Sequence, residues 1–318
     1  MSLGQQPQLD DLQRQLAAQL GDDGIPNDGR YVASAKEKIR ELLKERAALL
    51  VLDDVWTRDA AEAFNVVGAR GRLLLTTRDA GLVTALAAQE NHYQVQLPSD
   101  DEARALLAAA AGAPIEALPK EAADVIDECG RLPLALALCG GMLRSGTTCG
   151  DLRDALRDHD LTFLSDRHAT EEQHASIWKA IDVSMRMLPE DQHQRFVELA
   201  VFPPDLDVPE VAVVLWVHTA GMEPRNARKL VSVLAQRSLA QRGRAGGGAA
   251  EGGITLHDLV YDFLVGVAQK QCGTIAALHG RLEAYSSRCA AGWPSGPNDG
   301  TTSSTWHVIS LNHASATS

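Results

Sequence analysis

Apolar positions change their period along this chain, and the changes mark its elements. Leu9, Leu12, Leu16 and Leu20 recur at helical spacing, and Gly21 ends the run. Residues 22–30 have loop composition. Residues 33–47 read as a helix with Ile39, Leu42 and Leu43 on one face. Then the periodicity vanishes: Leu49-Leu50-Val51-Leu52 runs without a polar break into Asp53-Asp54-Val55-Trp56. A strand apolar on both faces belongs inside a parallel sheet covered by helices. A second apolar run, Leu73-Leu74-Leu75-Thr76-Thr77-Arg78, follows a helix over 60–64 and a turn bounded by Gly68 and Gly71. A third, Tyr93-Gln94-Val95-Gln96-Leu97, follows a helix over 82–88. Strand alternating with helix predicts a right-handed parallel sheet. Ser2-Leu3-Gly4-Gln5 is too short to be an element on its own.

From residue 100 to about 164 the pattern is helical, with helices over 102–111 and 120–129 and a third opened by Gly130-Arg131-Leu132-Pro133. Residues 172–188 form an amphipathic helix with Ile177, Ile181, Met185 and Leu188 inward. Further helices cover 192–200, 208–217 and 226–236, the first of them broken by Phe202-Pro203-Pro204. Two short strands, 238–241 and 253–256, flank a glycine-rich tip over 243–252, and a helix over 258–269 follows. Helices followed by a hairpin suggest a winged helix, a module that binds DNA or docks proteins. One more helix spans 275–288, and the Gly, Pro, Ser and Thr of the tail after Ala290 read as disorder. The fold class is α/β then all-α. The expected domains are a partial nucleotide-binding α/β domain over 1–99, a helical domain over 100–165 and a winged-helix domain over 166–271. A further helical start with a disordered tail occupies 272–318.

Composition narrows the functional classes. The net charge is −12, from 30 basic and 42 acidic residues, which disfavours a nucleic-acid surface. No basic stripe marks the candidate recognition helix, so docking is the better use of the hairpin module. Five cysteines with no C-x-x-C pair indicate reduced, cytosolic thiols. The longest apolar run, 132–143, falls short of the roughly 20 residues that a membrane span needs. A polar amino terminus carries no signal peptide, and the chain reads as soluble and cytoplasmic.

Candidate chemistry begins at Asp53 and Asp54. Open α/β sheets place ligands at the carboxyl ends of their strands. Two acids there suit a metal–phosphate site, one holding Mg²⁺ through water and the other orienting or deprotonating a water. The alternative is a buried strand with an Asp-rich turn. Arg78, at the neighbouring strand end, can bind a phosphate oxygen or pair with a carboxylate. Proline at the first turn of a buried helix, as at Pro133, usually carries no ligand. A lone histidine at a hairpin–helix junction, as at His257, is more often structural. No H-E-x-x-H, G-x-S-x-G or EF-hand pattern occurs, and the ten histidines are scattered.

Four spaced motifs then add up. Leu49 to Trp56 resembles the Walker B strand of the NB-ARC family of signal-transduction ATPases. Leu73 to Arg78 resembles the family's next strand, which ends in a sensor arginine. Gly130 to Leu134 is similar to its GLPL motif. Leu256-His257-Asp258 is similar to its MHD motif, with Leu for Met. The wording LHDLVYDFL, and Leu278-His279 beyond it, look most like the apoptotic-protease-activating-factor branch. The resemblance covers roughly residues 1–290 and implies a P-loop NTPase sheet, a helical domain and a winged helix acting as an ADP/ATP switch. By position it implies that Asp53 holds Mg²⁺, Asp54 is the hydrolytic base and Arg78 senses the γ-phosphate. It further implies that Pro133 packs on adenine, that His257 touches the β-phosphate of ADP as a latch, and that Asp258 holds that latch in shape. Protein partners would dock on the helical and winged-helix domains, with homo-oligomers in a full-length parent. One motif is missing: no G-x-x-x-x-G-K-S/T occurs, so the amide cradle and lysine for the β- and γ-phosphates are not supplied. The chain is expected to be a fragment that begins just past that loop. Its sheet should then have a gap between the strands ending at Arg78 and Leu97, its edge should be exposed, and its nucleotide binding should be impaired. The competing readings are a non-catalytic protein-interaction module and, third, a winged-helix transcription regulator.

Overall fold

The computed structural model describes residues 1–4, 7–22, 32–86, 89–158, 172–202, 204, 207–218, 220–242, 253–271, 278 and 280. They fall into two compact units, Met1–Val95 and the chain from Gln96 onward.

The first unit is built on a parallel sheet. Strands β1 (Ser2–Gly4), β2 (Leu49–Val55) and β3 (Arg72–Leu75) lie in that order, β2 in the middle. Ser2 pairs with Asp53 and Gly4 with Val55, while Leu49 to Leu52 pair with Arg72 to Leu75. Helices α1 (Leu9–Gln19), α2 (Val32–Leu43), α3 (Arg58–Ala63) and α4 (Ala80–Leu86) complete the unit. Thr57 caps α3 by accepting from the Ala60 N–H. Leu3, Leu16, Ile39, Leu43, Leu52, Phe64 and Leu82 form its core. Gln13 is fully buried there, and its amide donates to the Ala63 carbonyl at 2.9 Å, which fastens α1 to the end of α3. Gly68 lies so close to the Lys44 carbonyl that a Cβ would sit 2.2 Å from that oxygen. No other residue fits there, so the approach to β3 can press against the end of α2.

The helices cover one face of the sheet. Leu52 is buried, and Leu50, Leu73 and Leu75 pack against the core. The alternate residues of the pleat face away: Leu49 is 65% exposed, Leu74 52% and Val51 37%. The expectation of a strand covered on both faces is therefore corrected. A second correction concerns residues 93–97, which lie outside the sheet, with Tyr93 and Val95 more than four-fifths exposed. Their apolar alternation is real, but a strand also needs a neighbour's hydrogen-bond ladder, and among the described residues β3 pairs only with β2.

The second unit is helical: α5 (Asp100–Ala111), α6 (Ala122–Glu128), α7 (Pro133–Arg144), α8 (Cys149–Arg157), α9 (Glu172–Arg186), α10 (Glu190–Val197), α11 (Glu210–His218), α12 (Pro224–Gln236) and α13 (Asp258–Gln271). Ser99 and Glu102 form a capping box at the start of α5, and Gly112 ends it in the left-handed region. α7 is buried on nearly all sides, as its apolar sequence requires, through Ala135, Leu136, Leu138, Cys139 and Met142. Two glycines in α7 permit close packing. A Cβ on Gly140 would come 2.3 Å from the Ala110 Cβ of α5, and one on Gly141 would come 2.8 Å from the Arg237 backbone. Strands β4 (Gln241–Arg242) and β5 (Ile254–Thr255) pair antiparallel, and Val208 bridges Ile254 from the other side. One continuous hydrophobic cluster runs from Ala103 to Leu278. The expected glycine-rich tip over 243–252 and the tail after residue 290 lie outside the described residues, as does nearly all of the expected helix over 275–288.

Candidate functional site

The sheet aims its acidic tip by fixing the backbone on both sides of it. The Asp53 N–H donates to the Met1 carbonyl at 2.9 Å, and the Val55 N–H to the Thr76 carbonyl at 2.9 Å. Between them, Asp54 adopts φ 55°, the left-handed region. Aspartate enters that region more readily than most residues because its short side chain hydrogen-bonds locally. The inversion ends the regular alternation of β2.

Thr76 joins the two acids. The Asp54 N–H donates to Thr76 Oγ1 at 3.0 Å, and that hydroxyl donates to Asp53 Oδ1 at 2.5 Å. Trp56 Nε1–H donates to Asp54 Oδ2 at 2.9 Å. The other Asp54 oxygen lies 3.8 Å from Arg78 Nε, beyond hydrogen-bond reach, and the guanidinium sits 5.7 Å above the Trp56 ring. An exposed pair this wide contributes roughly 0–1 kcal/mol, and the cation–π contact about 0.5–1 kcal/mol at an exposed site.

The donor set fits magnesium. Asp53 is exposed and presents hard oxygen, and a neighbouring hydroxyl orients it. Mg²⁺ is usually held by one or two carboxylates with water and phosphate, not by a protein cage. Among the described residues no group of three or more His, Cys, Asp or Glu side chains forms such a cage.

Pro133, His257 and Asp258 belong to the second unit. Pro133 is the first residue of α7 and is exposed. It follows a turn in which Gly130 and Arg131 both have φ 57°. His257 immediately precedes α13, and its carbonyl accepts from the Tyr261 N–H at 2.9 Å. Its Nδ1 makes a short contact with Asp258 Oδ1. The Leu259 N–H lies 3.2 Å from that nitrogen and 2.8 Å from that oxygen. The structure therefore joins Asp53, Asp54 and Arg78 in one cluster and His257 with Asp258 in another. A groove of about 530 Å³ in the second unit, lined by Leu134, Ala137, Arg144, Ser232, Gln236 and Arg242, includes none of these residues.

Sequence reasoning gave no role to Thr76 or Trp56. Both stand inside the motifs it used. Thr76 was accessible in principle, because in a parallel register the residue after Leu75 falls beside Asp53. The Trp56 contact was not, because it depends on the inverted backbone at Asp54.

Residues 1–114 match the NB-ARC domain family. Apoptotic protease-activating factor 1 of Danio rerio is 28% identical over 257 residues, covering 79% of this chain and 19% of that protein. The human protein of the same name is 26% identical over 257 residues with the same coverage. Putative disease resistance protein RGA4 of Solanum bulbocastanum is 29% identical over 267 residues, covering 78% of this chain and 26% of that protein. The parallel sheet with its acidic tip is the α/β part of a P-loop NTPase fold, followed by a helical region. Residues 1–114 thus resemble an NB-ARC domain, and the chain as a whole is similar to apoptotic protease-activating factor 1 and to plant disease resistance proteins. It spans about a fifth to a quarter of the length of these relatives. Among the described residues no helix is long and apolar enough to cross a membrane.

Proposed function

We propose that this chain is the adenine-nucleotide switch region of an NB-ARC signalling protein, and that its 318 residues alone hold ADP or ATP weakly. The observation that carries this reading is the linked cluster of Asp53, Asp54, Thr76 and Arg78 at the ends of β2 and β3. Bound Mg²⁺ would neutralise phosphate charge there, with Asp53 as its protein ligand through water. Asp54, oriented by Trp56, would hold a water and accept its proton. Arg78 would leave Asp54 for the γ-phosphate, so the guanidinium would report which nucleotide is present. Pro133 would offer its exposed ring to adenine. His257 would donate to the β-phosphate of ADP from the start of α13, with Asp258 fixing the imidazole. Closing and opening of the domains around the nucleotide would then follow from which arrangement each nucleotide favours.

Weak binding follows from chemistry that these residues do not include. No G-x-x-x-x-G-K-S/T is present to wrap amides and a lysine round the β- and γ-phosphates. Titration with fluorescent ADP and Mg²⁺ tests this. We expect a Kd weaker than ~100 μM, about 5.5 kcal/mol of binding free energy. A tighter complex would contradict it.

A second reading, a protein-interaction module without nucleotide turnover, is favoured by one observation. Leu49, Val51 and Leu74 leave one sheet face apolar and open. The winged-helix reading of α11, α12, the β4–β5 hairpin and α13 as a docking unit belongs with it, as do homo-oligomers of a longer parent.

A further inference from the structure

The α6–α7 turn brings together a pair of thiols that the nucleotide chemistry does not use. The left-handed backbone at Gly130 and Arg131 reverses the chain tightly. The Arg131 N–H closes that reversal on the Ile126 carbonyl at 3.2 Å. As a result Cys129, which ends α6, lies against Cys139 in the second turn of α7, with their sulfurs 3.3 Å apart. Both side chains are fully buried, and both cysteines are free. A buried cysteine is ordinarily a small apolar filler. Two whose sulfurs already touch are also placed to bond to each other. To form a bond the sulfurs need to close from 3.3 Å to about 2.05 Å.

We propose that Cys129 and Cys139 are a dithiol–disulfide modification site, oxidised by hydrogen peroxide and reversed by a thiol reductant. One sulfur attacks the peroxide O–O bond, becoming a sulfenic acid and releasing one water. The second sulfur then displaces the sulfenic oxygen as a second water and forms the S–S bond. Two thiols are oxidised and one peroxide is reduced. Burial selects the oxidant: a water-sized molecule can enter through local opening at the half-exposed turn, whereas a bulky disulfide cannot. It also sets the rate. Cys139 has its thiol pKa pushed well up, first by its hydrogen bond with Cys129 and then by burial and the nearby thiols. The thiolate is scarce and oxidation is slow. Cys149 is also buried, and burial with the Glu121 charge raises its pKa. We assign it no part in the bond. The ring closes over the turn that carries Arg131 and Pro133, so oxidation would tether that segment.

The test is peroxide treatment of the folded, full 318-residue chain. Free thiols are then alkylated in denaturant and the peptides mapped by mass. The expected product is a Cys129–Cys139 link, lighter by two hydrogens and restored by dithiothreitol. It should be absent in Cys139→Ser and retained in Cys149→Ser. Native circular dichroism of each variant is the control for folding. Overturning results are both cysteines recovered as free thiols or as sulfinic acids, or a link from either of them to Cys149, Cys272 or Cys289.

Discussion

At the scale of single residues, the acidic tip depends on one hydroxyl. Thr76 Oγ1 accepts from the Asp54 backbone and donates to Asp53, so Thr76→Val removes two hydrogen bonds and leaves their partners to solvent. We expect about 1 kcal/mol of destabilisation in urea unfolding, with Thr76→Ser close to wild type. Equal losses in both variants would mean that the threonine methyl, not the hydroxyl, matters. Glu102 offers a test in acid. Hydrogen bonds from the Ser99 backbone and hydroxyl hold its carboxyl below the ordinary glutamate value. A depressed folded-state pKa means stabilisation that is full above the unfolded value and lost as pH falls through the folded one. Carbon-13 titration of Glu102 should show the depression, and Ser99→Ala, which removes the hydroxyl bond and keeps the larger backbone one, should bring the midpoint part of the way back up. An unchanged midpoint in that variant would show that the Ser99 hydroxyl contributes nothing to the depression. Asp53, Asp54 and Arg78 stand out in a one-dimensional pattern because charged side chains end apolar runs, and the structure places the three together. The inverted φ of Asp54 was not legible in the sequence, since it exists only once β2 lies between its neighbours.

At the scale of elements, helices proved more legible than strand surroundings. The helix over 172–188 was read with Ile177, Ile181, Met185 and Leu188 inward, and all four are buried. Period 3.6 reports a helix's own buried face, so little outside information is needed. An apolar strand reports only that it could be covered. Whether anything covers it depends on the neighbours, and here Leu49 and Val51 remain exposed. The same limit explains residues 93–97. Helix α8 was folded into a general helical region, because a short helix capped by Thr148 gives little periodic signal. The one-sided sheet predicts opposite outcomes on its two faces. Leu52→Ala, on the covered face, should cost about 2–5 kcal/mol. Leu49→Thr should change stability by less than about 0.5 kcal/mol and reduce self-association measured by sedimentation. A large loss from Leu49→Thr would show that this face is covered after all.

At the scale of the whole molecule, the charged cluster lies in the unit Met1–Val95, whereas Pro133, His257 and Asp258 lie in the unit that follows. Each unit has its own hydrophobic cluster. A switch needs such a division, because bodies that pack internally can rearrange about a ligand without unfolding. The family resemblance was legible because motif residues are chemically distinctive. The most direct measurement is an amide chemical-shift map of the isotopically labelled chain titrated with millimolar ADP, with and without Mg²⁺. We predict weak, magnesium-dependent shifts centred on Asp53, Asp54 and Thr76 to Arg78, abolished by Asp53→Asn. Shifts confined to other residues, or none at millimolar ligand, would contradict the assignment of this tip to metal and phosphate.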